Sequence, residues 1–217
     1  TTTSAPSRLT DVANNVAGNL LPPEPYFIHT YGRHFRDKIN PGRAAVVGEY
    51  VYSSSFETGE GWSSRDIYVY NPILESLANL YPFNGGPAPK LRFIAAGNAL
   101  NIRTVDISVN NFPIIQADMN YFAGIDTTVG IFPGVLGTPN DSISIYNGSA
   151  VNNDRMVVHG YEINYPRQFN FGGASKFEFN LPAKASGNFL VISNFNNGGV
   201  VPVLYDLTNG ARYIGDI

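Results

Sequence analysis

The stretch VDISVNNFPII, residues 105–115, decides the fold class of this chain. Val105, Ile107 and Val109 alternate with polar residues, and this period of two is typical of a strand with one buried face. The pair Asn110-Asn111 predicts a hairpin turn into a second strand. The stretch therefore predicts an antiparallel pair of strands packed on a core.

The same kind of pattern recurs along the chain, with turn-rich clusters between the segments. Roughly nine to eleven short strands follow from this pattern, and no alternation of strands with helices accompanies them. Residues 73–81 look briefly helical. We therefore predict an all-β fold, an antiparallel β-sandwich of jelly-roll-like form with long loops. The other predicted strands are 49–56, 65–70, 91–97, 142–147, 161–165, 177–181, 189–192 and 203–207.

The first 25 residues differ from the rest of the chain. They are polar at first and then rich in proline, so we predict an extended arm or linker over 1–25 and one β-sandwich domain over 26–217. The chain starts at Thr1 without a methionine, and we expect it to be an excised fragment or a mature form.

The composition excludes several classes of function. Charged residues make up only 14% of the chain, the net charge is −3, and the lysines and arginines are scattered. Such a chain has no basic patch for nucleic acid. It also has no apolar stretch of about 18–20 residues, which a membrane-spanning helix requires. We predict neither nucleic-acid binding nor membrane insertion.

Few residues of this chain can break covalent bonds. Cysteine is absent, and the histidines are His29, His34 and His159. A serine or cysteine nucleophile needs a nearby base, and no Gly-x-Ser-x-Gly turn is present. We interpret all three histidines as structural and predict that the chain has no catalytic residue and is not itself an enzyme.

Aromatic residues supply the candidates for ligand binding. Trp62 is the single tryptophan and follows Glu60 in a turn-rich segment, while Tyr68, Tyr161 and Tyr165 lie in or beside predicted strands. Exposed aromatic rings stack on sugars, so an exposed Trp62 would favour a carbohydrate-binding module. The alternative is a turn in which one tryptophan packs against the core.

A metal site is the weaker expectation. Zinc has too few histidine and thiol ligands here. Calcium is bound in loops through carboxylate and carbonyl oxygens, and Asp126 and Asp154 are candidates for it. The alternative is that these residues only shape turns. We predict no other cofactor.

Five segments, taken in chain order, resemble one protein family. They are residues 48–49, 59–62 (Gly-Glu-Gly-Trp), 105–110, 157–167 and 203–208. The chain over about residues 26–217 resembles the region that precedes the protease domain in the PorU-like sortases of type IX secretion, relatives of the gingipain (C25) cysteine peptidases.

The resemblance implies a non-catalytic accessory β domain. Its partners would be the downstream peptidase domain of the same protein and secretion-system subunits or cargo. Its location would be the outer-membrane surface or the periplasm of a Gram-negative bacterium. None of the five segments carries a catalytic residue of the family. Two alternatives remain: a carbohydrate-binding β-sandwich, and a self-contained hydrolase that would need two converging carboxylates or a histidine in a cleft.

Overall fold

The computed structural model describes residues 9–14, 16–43 and 56–217, and these residues contain thirteen β-strands and no α-helix. The predicted all-β fold is confirmed. In chain order the strands are β1 (Thr10–Asp11), β2 (Phe27–His34), β3 (Lys38–Pro41), β4 (Glu60–Ser63), β5 (Ile73–Ala78), β6 (Lys90–Gly97), β7 (Thr104–Val109), β8 (Phe112–Asp118), β9 (Gly124–Gly130), β10 (Asn140–Asn147), β11 (Met156–Arg167), β12 (Val203–Asp206) and β13 (Ala211–Ile214).

The chain divides into two compact units. The larger unit is Pro25–Gln168 with Phe179–Leu181. The smaller unit contains Phe169–Glu178 and Pro182–Ile217 together with the described residues before Pro25. The sequence predicted an arm followed by one domain, and it did not indicate that both ends of the chain share a unit.

In the smaller unit, three short strands join the two ends of the chain. β1 pairs in parallel with β13, and β13 pairs in antiparallel fashion with β12. The turn between β12 and β13 is held by Asp206, whose carboxylate accepts hydrogen bonds from the amides of Thr208 at 3.1 Å and Asn209 at 3.0 Å. Such Asx turns fix a hairpin locally.

The larger unit is a β-sandwich. One antiparallel sheet has the strand order β2-β11-β6-β9, and the other has the order β5-β10-β7-β8. Buried side chains of both sheets form one hydrophobic core. A separate two-stranded sheet pairs β3 with β4. The predicted β-sandwich is therefore confirmed.

The stretch that decides the fold class lies at the centre of one sheet. Val105, Ile107 and Val109 of β7 are buried, and β7 pairs with both β10 and β8. In the register with β10, Ile107 lies opposite Ile145 and Val109 lies opposite Ile143. Burial of a valine or isoleucine side chain contributes about 1.5–3 kcal/mol. The alternation in the sequence is therefore the alternation of buried and outward side chains.

The segment predicted to be helical is a strand. Ile73 and Leu77 of β5 are buried, and Glu75 between them faces the same side, where its Oε2 accepts a hydrogen bond of 2.8 Å from the hydroxyl of Tyr161. Apolar residues four positions apart fit one face of a helix and one face of a strand equally well. Pairing with β10 resolves the ambiguity in favour of the strand.

Three other predicted strands are not regular strands. In residues 65–70 the only bridge is between Ile67 and Met156, because a turn closes immediately afterwards from the amide of Asn71 to the carbonyl of Tyr68. Segments 177–181 and 189–192 likewise make single bridges, at Asn180 and Phe189. The strand predicted over 49–56 lies, apart from Phe56, outside the described residues.

Close packing at the end of β6 requires a glycine. A Cβ atom on Gly97 would overlap with Nη1 of Arg103 and with the carbonyl oxygen of Tyr121. Both of these groups are held in place, because the buried guanidinium of Arg103 donates a hydrogen bond of 2.6 Å to the carbonyl of Tyr121. The absence of a side chain at position 97 therefore makes room for the guanidinium group.

We expect Gly97→Ala to lower the free energy of unfolding by about 2–4 kcal/mol, because overpacking here displaces a buried charge. The matched control is Gly130→Ala on β9 of the same sheet, where an added Cβ has nothing within 4 Å. Urea unfolding of both variants measures the difference. Equal stability of the two variants would contradict this account.

Candidate functional site

A buried ion pair lies at one end of the sandwich. Arg103, just before β7, and Asp154, just before β11, both have fully buried side chains. Arg103 donates from Nε to Oδ2 of Asp154 at 2.6 Å and from Nη2 to Oδ1 at 2.7 Å. This two-pronged geometry is the strongest arrangement of an arginine with a carboxylate.

The remaining donors of Arg103 bind the backbone of two loops. Its guanidinium donates to the carbonyls of Ala99 at 2.9 Å, Met119 at 2.8 Å and Tyr121 at 2.6 Å. All five N–H groups of the guanidinium thus have acceptors. One side chain thereby fastens together three connections, 98–103 between β6 and β7, 119–123 between β8 and β9, and 148–155 between β10 and β11. We call these three connections the loop end.

Asp154 is fully engaged by protein donors. Besides Arg103, Asn101 donates to its Oδ1 at 3.0 Å and Asn147 donates to its Oδ2 at 2.9 Å. Burial raises the pKa of Asp154, but the hydrogen bonds from Arg103, Asn147 and Asn101 outweigh burial and leave the pKa below its ordinary value. Each carboxylate oxygen thus accepts two hydrogen bonds from protein donors, and calcium binding at Asp154 stays a prediction.

The loop end presents apolar side chains to solvent. Leu100, Ile102, Tyr121 and Val151 are each between 46 and 67% exposed. Their backbones adjoin, since the amide of Tyr121 donates to the carbonyl of Asn101 at 2.9 Å and the hydroxyl of Ser149 donates to the carbonyl of Ile102 at 3.0 Å. We call these four side chains the loop-end patch.

Tyr121 has an unusual backbone conformation. Its φ is +58°, in the left-handed region that a bulky residue rarely adopts. The flanking bonds from Tyr121 to Asn101 and from Arg103 to Tyr121 hold this conformation.

Two of the predicted binding residues belong to the core. Tyr161 is 2% exposed and Tyr165 is fully buried, so both rings pack inside the folded chain. The hydroxyl of Tyr161 donates to Glu75, and that of Tyr165 donates to the carbonyl of Leu80 at 2.8 Å. Burial is the main cause that raises the pKa of both hydroxyls. The two rings lie on the inward face of β11, where alternation places them.

The other predicted aromatic residues lie at the surface or close to it. Trp62 on β4 is 54% exposed and lies opposite Ile39 of β3, which is 66% exposed. Tyr68 is half-buried and stacks on Tyr70 with ring centroids 5.3 Å apart. Glu60 closes its own turn, because its Oε2 accepts a hydrogen bond of 2.9 Å from the amide of Glu57. Glu60 therefore shapes the backbone before Trp62.

The second calcium candidate takes part in a surface ion pair. The carboxylate of Asp126 on β9 accepts hydrogen bonds of 3.0 and 2.8 Å from Arg92 on β6, and the bond from Arg92 is the main cause that lowers the pKa of Asp126. Across the part of the chain that the structure describes, no group of three or more acidic, histidine or cysteine side chains is arranged for a metal ion.

The histidines contact neighbouring strands. His29 and His34 lie on β2, where polar residues obscure the alternation of Phe27, His29 and Tyr31 in the sequence. Burial, followed by the charge of Arg167, lowers the pKa of His29 to about 4. His159 lies at a bulge of β11, with its Nδ1 2.9 Å from the carbonyl oxygen of Trp62.

Comparison with known proteins gives a likeness of fold. No protein-family model and no curated protein sequence matches the chain. Among solved structures, dimeric latent PorU from Porphyromonas gingivalis is similar over 82% of this chain, with a TM-score of 0.50 and 12% identity. The matched part is 16% of the PorU chain, so this chain spans about a sixth of that protein's length.

Two carbohydrate-binding modules are similar over a smaller part of the chain. The CBM36-1 domain of a multidomain xylanase from the hindgut metagenome of Trinervitermes trinervoides covers 62% of this chain and is itself covered to 96%, with a TM-score of 0.39 and 10% identity. A CBM36 module in complex with calcium and xylotriose covers 61% and is covered to 98%, with a TM-score of 0.37 and 12% identity.

None of the described residues belongs to a helix with the length and hydropathy that a membrane crossing requires.

The local sequence pattern does not predict the loop end. Arg103 and Asp154 are 51 residues apart, and neither lies in a recognised motif. One signal was present: Leu100 and Ile102 are apolar residues in a connection that has no strand of its own.

We expect Asp154→Asn to lower the free energy of unfolding by about 3–5 kcal/mol at pH 7, because it leaves the buried charge of Arg103 without its counterion. Since the folded pKa of Asp154 is lowered, its contribution is complete above the unfolded pKa of about 3.9 and is lost as the pH falls through the folded value. The gap between wild type and variant should therefore narrow below about pH 4. Urea unfolding at pH 7 and pH 3 measures this.

The control for this prediction is Asp126→Asn, which breaks an exposed ion pair with Arg92. Exposed pairs are screened by water, so the change in stability should be much smaller. A loss at Asp154 no greater than that at Asp126 would mean that the buried pair does not hold the loop end.

Proposed function

We propose that this chain is a non-catalytic accessory β domain that precedes a C25-type cysteine peptidase in a surface sortase of type IX secretion. The loop-end patch would dock on a neighbouring protein surface, namely the downstream peptidase domain. The observation that supports docking is a set of exposed apolar side chains on loops whose backbone carbonyls are hydrogen-bonded to the buried Arg103.

The placement in this family is supported by sequence and fold over the same part of the chain. The segments that resemble the family fall on β4, β7, β11 and β12, and β7 and β11 are inner strands of the two sheets. The fold likeness to PorU extends over 82% of the chain. Both observations concern the framework of the fold, whereas the role depends on the surface.

The chemistry of the loop-end patch suits a protein partner. Leu100, Ile102 and Val151 are aliphatic, and aliphatic side chains contribute by leaving water rather than by stacking on sugar rings. Fixed loops lose little conformational entropy on binding, which favours affinity. Tyr121 adds an aromatic ring with a hydroxyl, a combination that is enriched at protein interfaces.

The family assignment is tested by the native reading frame. We expect it to continue beyond Ile217 into a domain with a paired histidine and cysteine. A stop codon soon after this position would contradict the assignment.

The docking role is tested by the double variant Leu100→Ser/Ile102→Ser. We expect its affinity for the purified remainder of the parent protein to fall by about tenfold or more, because two apolar contacts are lost. The control is Leu74→Ser on β5, whose side chain is as exposed but lies outside the loop end. Isothermal titration of the 217-residue chain measures both. Equal affinities would contradict docking through the loop end.

Carbohydrate binding is the second candidate, and the exposure of Trp62 is the observation that favours it. A ring with a free face can stack on a sugar, and the opposite Ile39 extends the apolar surface. On this reading the β3–β4 sheet, rather than the loop end, would contact the ligand.

This candidate has a direct spectroscopic test, because Trp62 is the single tryptophan of the chain. If the sheet binds sugar, titration with xylohexaose or cellohexaose should shift the emission of Trp62, and Trp62→Ala should abolish binding measured by calorimetry. Tyr70→Ala is the control, since it removes an exposed ring elsewhere. Unchanged emission at millimolar concentrations of both sugars would count against sugar binding by this sheet.

A further inference from the structure

A cavity opens in the larger unit beside edge strands of its two sheets. β2 ends the strand order of one sheet, and β5 ends that of the other. The cavity has a volume of about 340 Å³, and its walls include Arg33 of β2, Glu75 of β5 and Arg65, which follows β4. This volume lies at the lower end of the roughly 300–1,000 Å³ that small-molecule sites have, so the cavity suits a small ligand.

The guanidinium group of Arg33 is held in place on one wall of the cavity. It donates a hydrogen bond to Oε1 of Glu75, and its Cζ lies 4.6 Å from the centre of the Phe35 ring. Glu75 is in turn fixed by the hydroxyl of Tyr161, which donates to its Oε2 at 2.8 Å. Arg33 therefore offers its remaining N–H groups from a fixed position, which lowers the entropic cost of binding an acceptor there.

The guanidinium group of Arg65 is also held, but by backbone carbonyls. It donates from Nη1 to the carbonyl of Asn71 at 3.1 Å and from Nη2 to the carbonyl of Pro72 at 3.1 Å. Asp37 lines the same cavity and accepts a hydrogen bond of 3.1 Å at its Oδ2 from the backbone amide of Arg65. Within the described ranges, neither Arg65 nor Asp37 forms an ion pair. The cavity thus has one positive and one negative side chain without a counterion.

The balance of charge around the cavity selects the class of ligand. Arg33 and Arg65 supply two positive charges, and Asp37 and Glu75 supply two negative charges. A phosphate group would bring its own negative charges close to two carboxylates, which is unfavourable. A molecule with one carboxylate and one ammonium group matches both unpaired side chains, since guanidinium groups bind carboxylates by paired hydrogen bonds.

The rest of the wall is apolar. Phe35 and Ile73 are buried, and the side chain of Leu74 is 65% exposed. An apolar group of the ligand would leave water when it packs against these side chains, which favours binding. Small-molecule sites commonly combine such an apolar lining with a few polar groups that fix the orientation of the ligand.

We propose that this cavity binds a free α-amino acid with an apolar side chain. Arg65, with Arg33 beside it, binds the carboxylate, and Asp37 binds the ammonium group. The apolar side chain of the amino acid packs against Ile73 and Leu74. None of these residues belongs to the loop-end patch or to the β3–β4 sheet, so amino-acid binding and the proposed function can each fail without the other.

Titration of the 217-residue chain with L-leucine, followed by amide chemical shifts in NMR spectra, tests this site. We expect saturable shifts at the amides of Leu74 and Glu75. Two analogues each lack one charge: 4-methylpentanoate has no ammonium group, and 3-methylbutylamine has no carboxylate. In the dipeptide leucyl-leucine the two charges lie further apart. All three should bind at least about tenfold more weakly than leucine, because each leaves one charged side chain of the cavity unpaired.

Two variants assign the charges to their partners. Asp37→Asn keeps an oxygen for the amide of Arg65 and removes the negative charge, so the affinity for leucine should fall by about tenfold or more, whereas that for 4-methylpentanoate should not fall. Arg65→Gln should weaken leucine binding to a similar extent without weakening that of 3-methylbutylamine. The control is Asp126→Asn, which removes an exposed carboxylate on β9 and should leave leucine binding unchanged.

Three results would overturn the proposal. One is the absence of shifts in the wild-type chain at millimolar concentrations of leucine. Another is equal affinity for leucine and its singly charged analogues, since the cavity then does not recognise a zwitterion. The third is a loss of leucine affinity in Asp37→Asn that is no larger than the loss in Asp126→Asn.

Discussion

The buried pair of Arg103 and Asp154 is the constraint on which one end of the sandwich depends. The transfer of both charges out of water is unfavourable, and the pair is stable only because every donor and acceptor has a partner. Burial of apolar side chains alone would not hold the three loops of the loop end in one conformation. The exposed side chains of these loops are not removed from water in that conformation, so they do not stabilise it. The ion pair supplies that geometry, and Gly97 supplies the space for it.

Strands at the centre of the sheets were predictable from the sequence, whereas the edge strands β2, β5 and β9 were not. β7 and β10 each bury one face, so hydrophobicity alternates along them. β9 is an edge strand whose inward side chains are only half-buried, and Asp126 to Thr128 therefore looked like a loop. Prediction of a strand from alternation depends on the difference in hydrophobicity between its two faces. This difference is smaller in an edge strand whose inward face is only half-buried.

The candidate site was less predictable, because it depends on long-range contacts. Tyrosines are amphipathic, and no local pattern distinguishes the buried Tyr161 from an exposed ring. Asp154 lies in an Asn-rich turn whose local sequence is typical of a calcium loop. In the fold, its two carboxylate oxygens accept hydrogen bonds from Arg103, which belongs to a different connection. The local sequence thus shows which residue types the loop end contains, but not which of these residues contact one another.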